Sequence, residues 1–178
     1  MNRLQRKIAQ RHSDLVLWLR PRLEKMPLPI QRYDDPFLPF GKAIIAATRD
    51  LLCGYLFDLA AYLALGAAGA VALERTIAYV GDDAVSILHA PFAIPDYVQA
   101  ASAFNVDAVT ITDEAVAETF LQENVGTFVL ETGNYDLENR TLTTSEIALH
   151  ILGDDVLYAG RGDDFAEQVR AAVKAQVR

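Results

Sequence analysis

Four residues carry side chains suited to acid–base chemistry near the ends of apolar runs: Asp58, His89, Asp96 and Glu131. His89 stands in "SILHAPFAIPDY" (residues 86–97), where Ile87 and Leu88 read as buried strand and Pro91 and Pro95 bracket a turn. An α/β protein places its chemistry at such strand-to-helix junctions. An imidazole flanked by carboxylates moves protons near neutral pH. The plainer reading is a hydrogen-bonded histidine among helix caps and loop carboxylates. Asp96, for instance, falls in the first turn of a helix, where the dipole favours a negative charge. A second candidate is Gly160-Arg161-Gly162 in "YAGRGDD". Its glycines let backbone amides approach an anion, and a guanidinium grips phosphate through two hydrogen bonds. The alternative there is a turn whose exposed Arg161 pairs with Asp163 or Asp164. His12 and His150 lack partners at metal-ligand spacing, so neither a metal nor a cofactor is expected.

The elements that must position these groups are bounded by composition. The chain has 178 residues, 52% of them hydrophobic, which suits a single well-buried domain over residues 1–178. A net charge of −8 argues against a nucleic-acid or anionic-membrane binder, since either needs a basic surface. The lone Cys53 rules out an internal disulfide and fits a reducing cytoplasm, where it reads as a small buried apolar residue. No signal-peptide core opens the chain. Between Leu51 and Leu73 only Asp58 is charged, but glycines and alanines dilute the run, so it reads as a buried strand and helix rather than a bilayer span.

Short apolar runs alternate with helical patterns. Strands are expected at 15–19 ("LVLWL"), 51–57, 85–90, 108–112 ("AVTIT"), 127–131 ("TFVLE") and 156–159 ("VLYA"). Helices are expected at 2–11, 41–49, 59–65, 70–80, 94–104, from the N-cap Asp113 to Glu123, and at 163–178. Five prolines make 21–40 an extended loop. A polar loop covers 132–144, and "EIALHIL" (146–152) is the one segment left that could form a further element. Strands apolar on both faces, each followed by a helix, indicate a parallel sheet, either a barrel or a doubly wound fold. The absence of Gly-x-Gly-x-x-Gly after the first strand weakens a dinucleotide-binding reading.

Longer segments carry a resemblance. "FGKAIIAATRDLLCGYLFDLAAYLALGAAGAVALERTIAYV" (40–80), with "DDPFLPF" before it, "NVDAVTIT" (105–112) and "GTFVLETGN" (126–134), resembles the orotidine 5'-phosphate decarboxylase family. "YAGRGDD" is similar to its last strand and phosphate-binding loop. The resemblance implies a TIM barrel that dimerises through its active-site face, with an Arg near position 161 on phosphate. It also implies a Tyr-Lys-Pro-Asn setting after the second strand and Asp-x-Lys-x-x-Asp after the third. Here those settings read Tyr55-Leu56-Phe57-Asp58 and His89-Ala90-Pro91-Phe92-Ala93-Ile94. Leu56 stands for the first Lys; His89, Pro91 and Ile94 stand for Asp, Lys and Asp. Arg20 stands where the first strand of the family ends in an Asp.

The decarboxylation develops a carbanion that a positioned Lys stabilises and protonates. Leucine and proline hold neither charge nor proton. The expected protein is therefore a catalytically inactive, truncated relative, acting as a binding or assembly module. Its barrel should be contracted or incomplete, with six to seven strands, because too few residues separate Glu131 from Val156 for two further βα units. A homodimer or a functional decarboxylase would cover the exposed sheet, with Leu56, Phe57, Pro91, Phe92 and Ile94 in the contact. Two alternatives stand beside this. One is a residual binder of a nucleotide or other phosphorylated small molecule of pyrimidine metabolism through Arg161. The other is an enzyme of new activity centred on His89, with Asp58 and Glu131.

Overall fold

The computed structural model describes residues 3–90, 95–131, 137 and 140–177. Five strands run parallel as successive neighbours: β1 (Leu15–Leu19), β2 (Gly54–Asp58), β3 (Val85–His89), β4 (Ala108–Ile111) and β5 (Gly126–Val129). A hairpin completes the sheet. β7 (Ala148–Leu152) pairs parallel with β1, and β6 (Thr141–Thr143) runs antiparallel to β7. The order is therefore β5-β4-β3-β2-β1-β7-β6. Its two end strands approach each other, so the seven-stranded sheet is nearly closed into a barrel.

The strands β1 to β3 are buried along their whole length, as strands covered on both faces must be. Alternation splits their side chains between two cores. Leu15, Leu17, Leu19, Tyr55, Phe57 and Leu88 point outward, into a layer shared with the helices. Val16, Trp18, Leu56, Ile87, Phe128 and Ile151 point inward and fill the lumen. The outer layer is α2 (Phe37–Thr48), α3 (Leu59–Leu63), α4 (Gly66–Val80), α5 (Tyr97–Phe104), α6 (Ala117–Gln122), α7 (Asp154–Leu157) and α8 (Phe165–Lys174), while α1 (Arg3–Ala9) closes the N-terminal end of the barrel. Close packing at the α3–α4 corner demands a glycine: a Cβ on Gly69 would lie 1.7 Å from the Tyr62 carbonyl oxygen. Arg170 of α8 forks onto Asp50 after α2, and this contact holds the Asp50 carboxyl down at about 2.

Below the lumen lies a buried ion pair. Lys7 of α1 donates to Asp107 at 2.9 Å and to the carbonyl oxygens of Ala84 and Gly81. Asp107 is fully buried and also accepts from the Ser86 amide and hydroxyl at 2.8 and 3.1 Å. Leu4, one helical turn before Lys7, inserts into the lumen core from the same side. The N-terminal helix is thus fastened by apolar insertion and by a buried charge pair.

Several expectations are corrected. Val156–Ala159 is not a strand: residues 154–157 are the short helix α7, and the late parallel strand is 148–152. The run "VLYA" is apolar because α7 packs Val156 and Leu157 into the outer core. The expected loop 132–144 contains β6 at its end, and α2 begins at Phe37, inside the expected loop 21–40. Pro39 is tolerated there because it occupies the first turn, whose amides have no intrahelical acceptor. Cys53 is buried as expected, and desolvation pushes its thiol up to about 11. Among the described residues no helix is long and apolar enough to cross a membrane.

Candidate functional site

The C-terminal ends of β1 to β4 bring Arg20, Asp58, His89 and Thr110 to one rim. The register decides this: Asp58 lies beside His89, and His89 beside Thr110, on three adjacent strands. Asp58 caps α3 by accepting from the Ala61 amide at 2.9 Å. Its second oxygen meets Arg20 Nε at 3.2 Å. The Arg20 guanidinium lies over the Trp18 ring, 4.8 Å from its centroid. The indole in turn meets the His89 imidazole edge-on, with centroids 5.2 Å apart. His89 Nδ1 and the Thr110 hydroxyl are 3.0 Å apart, and that hydroxyl also accepts from the Ala90 amide at 3.1 Å. Tyr158 ties the rim to α7: its hydroxyl donates to the Arg20 carbonyl at 2.8 Å and accepts from the Arg22 amide at 2.9 Å. Burial raises the Tyr158 phenol well above its ordinary value, so it stays a neutral donor.

These contacts describe a packed, hydrogen-bonded rim. His89 is 5% exposed and Thr110 is fully buried. Leu56 stands one step below Asp58 on the same strand face, fully buried in the lumen core. Asp96 and Glu131 are exposed and make no hydrogen bond to His89, so they do not join Asp58 and His89 in one cluster. Asp96 is the N-cap of α5 without a side-chain cap bond. Pro91, Phe92 and Ile94 lie outside the described residues. No three metal-ligating side chains converge among the described residues.

Gly160-Arg161-Gly162 follows the helix α7, not a strand, and precedes α8. Gly160 is required by packing, since a Cβ there would lie 2.7 Å from the Phe165 Cα. The Arg161 carbonyl accepts from the Leu28 amide at 2.9 Å, which joins this loop to the one after β1. Its side chain is exposed and pairs with neither Asp163 nor Asp164; Asp164 accepts from Gln168 instead. Beside the rim, a groove of about 340 Å³ runs between Arg20, Leu23, Phe37, Asp58 and the alanines of α3.

Trp18, Thr110 and Tyr158 belong to the rim although nothing singled them out beforehand. A signal for two of them existed. Trp18 and Arg20 share a face by the two-residue period of a strand, and Thr110 is a polar residue inside an apolar run.

No protein-family model matches the chain. A stretch of 74 residues is 49% identical to the orotidine 5'-phosphate decarboxylase of Thermomicrobium roseum, covering 42% of this chain and 26% of that protein. The corresponding enzyme of Flavobacterium johnsoniae is 39% identical over 80 residues, 45% of this chain and 29% of its own length. That of Herpetosiphon aurantiacus is 33% identical over 118 residues, 63% of this chain and 44% of its own. Over these stretches the chain is similar to the orotidine 5'-phosphate decarboxylases. It spans less than half the length of these curated relatives. Solved decarboxylase structures share its fold. One from Toxoplasma gondii superposes with a TM-score of 0.62 at 28% identity, over 83% of this chain and 55% of that one. One from Streptomyces avermitilis gives 0.70 at 13% identity, over 98% and 92%. The structure places Leu56 in the lumen, where the resemblance implies a lysine, and Arg20 and His89 at the rim, where it implies carboxylates.

Proposed function

We propose that this protein is a catalytically inactive member of the decarboxylase family that works in the cytoplasm as an assembly module, pairing with a second copy of itself through the barrel mouth. The observation that carries the reading is Leu56. It lies fully buried in an apolar lumen, at the place where the family's chemistry needs a charged, proton-bearing lysine. The contact the sequence suggested is revised at two of its five residues, while Pro91, Phe92 and Ile94 lie outside the described residues. Leu56 and Phe57 are both fully buried, one in each core, and cannot meet a partner. The rim offers other apolar groups. Leu23 and Tyr33 are 52% and 56% exposed and share a groove wall with Leu65. Leu23 also shares a groove with Ala60 and Ala61 of α3 and its C-cap Ala64, and α3 carries the exposed Leu63. An apolar rim of this kind is costly in water and becomes the core of a twofold contact when buried. Light scattering should show a dimer at micromolar concentration. Leu63→Asp and Leu23→Asp should each weaken it by roughly tenfold or more, about 1.4 kcal/mol. A monomeric parent, or variants that pair as tightly as the parent, would refute the assembly reading.

One observation favours a second reading. The Arg161 side chain is exposed and carries no ion pair among the described residues, so it is open to a phosphorylated small molecule. A phosphate ligand supplied at 100 times its dissociation constant should then raise stability by about 2.7 kcal/mol. Arg161→Ala should abolish that rise in a thermal-shift titration with uridine monophosphate or inorganic phosphate. Absence of any shift in the parent removes this reading and leaves the assembly one untouched.

A further inference from the structure

We infer that Trp18 is a plug for the barrel mouth and that the Arg20–Asp58 bridge is its latch, so that the lumen is sealed from within against ring-sized ligands. This deepens the assembly reading, because it explains how a decarboxylase barrel can keep its shape without keeping a ligand chamber. The indole belongs to the lumen core and is 7% exposed, at the height where the strands end. Among the described residues, one edge and one face of it are occupied at the rim. The His89 ring abuts one edge, and His89 is itself held through Thr110 on the next strand. The Arg20 guanidinium covers a face and is pinned by Asp58, which the first turn of α3 fixes in place. Beneath the indole lie Leu56, Ile87 and Phe128, which leave an apolar floor. The indole Nε1 is enclosed and makes no hydrogen bond, so neither solvent nor a polar acceptor reaches it. A tightly packed interior admits no ligand without displacing a side chain. Trp18 is the side chain a flat ring would have to displace, and the latch resists that movement.

Trp18 is also the only tryptophan, so its emission reports on the mouth alone. Acrylamide should quench the folded protein far less than the urea-unfolded protein, and millimolar uridine monophosphate should leave the emission unchanged. Asp58→Asn keeps a carbonyl oxygen for the Ala61 amide while releasing Arg20. It should raise acrylamide quenching severalfold with an unchanged far-ultraviolet circular dichroism spectrum. Arg20→Met, which keeps the aliphatic stem and removes the charge, should do the same. Parent-like quenching in either folded variant would overturn the latch, and emission that responds to uridine monophosphate in the parent would overturn the plug. Should neither variant fold, the parent still decides: quenching near that of the unfolded chain refutes the seal, and strong protection sustains it. A monomer in light scattering would refute the assembly reading without altering these fluorescence results.

Discussion

Orotidine 5'-monophosphate incubated with the purified protein should lose carbon dioxide no faster than in buffer. The expectation rests on what the lumen holds. A carbanion forming on a pyrimidine ring needs a nearby positive charge and a proton donor, and Leu56 supplies neither. His89, where the resemblance implies an Asp, is engaged with Thr110 and Trp18. A positioned acid–base group contributes about 10²–10⁴ in rate, and groups that act as a unit do not add when lost one by one. Losing the unit therefore leaves no measurable residue of the activity. A radiolabelled carbon dioxide assay at high protein concentration is the check. Turnover proportional to protein, and abolished by His89→Ala, would show that the rim has acquired chemistry of its own.

The largest stability effect is expected at the opposite end of the barrel. Asp107→Ala should lower the melting temperature by on the order of ten degrees, corresponding to about 3–5 kcal/mol. Removing this carboxylate leaves the Lys7 ammonium, which is 8% exposed, with only two carbonyl oxygens and the exposed Asp82 at 3.9 Å, and leaves the Ser86 amide without its acceptor. Lys7→Met should be nearly as damaging, because Asp107 would stay fully buried without its counter-charge. The double variant Lys7→Met/Asp107→Ala should cost clearly less than the two single losses combined, since no unpaired charge remains. Additive losses in a double-mutant cycle would mean that the two side chains act independently, contrary to their 2.9 Å contact. Because Leu4 and Lys7 belong to one helix, the single variants should also loosen α1 from the barrel floor. Faster hydrogen exchange confined first to residues 4–9 would report this.

Five strands of the barrel were legible as sequence. The runs around 15–19, 54–58, 85–89 and 108–111 are apolar on both faces because each is covered by helices outside and by the lumen inside, and that double burial leaves a continuous hydrophobic signature; the fifth, at 126–129, is apolar although one of its faces is partly open. The Asp113 cap was legible for a local reason as well: its carboxylate reaches an amide two residues on. The family, too, could be read from motifs in order along the chain. The end of the sheet could not. "ALHIL" and "VLYA" are both short apolar runs, and periodicity alone cannot tell a strand from a turn of buried helix at that length. Pairing of Leu15, Val16 and Leu17 with residues 150–152 settles which is the strand, and that choice is made by contacts more than 130 residues apart.

The rim was likewise only half written in the chain. The resemblance implies a lysine where the chain has Leu56 and carboxylates where it has Arg20 and His89. Which of them point into the lumen depends on strand phase, and a slip of one residue would exchange Leu56 with Phe57. Parallel register places Asp58 beside His89 and His89 beside Thr110, and alternation places Trp18 under Arg20. The charge pair between Lys7 and Asp107 has no local signal at all, because its partners are 100 residues apart and each alone reads as a solvated surface charge. Local sequence determined five of the strands and the Asp113 cap, since those follow from the preferences of neighbouring residues. Tertiary structure alone decided the sealed mouth and the charged floor, since both are made by side chains that only barrel closure brings within contact distance.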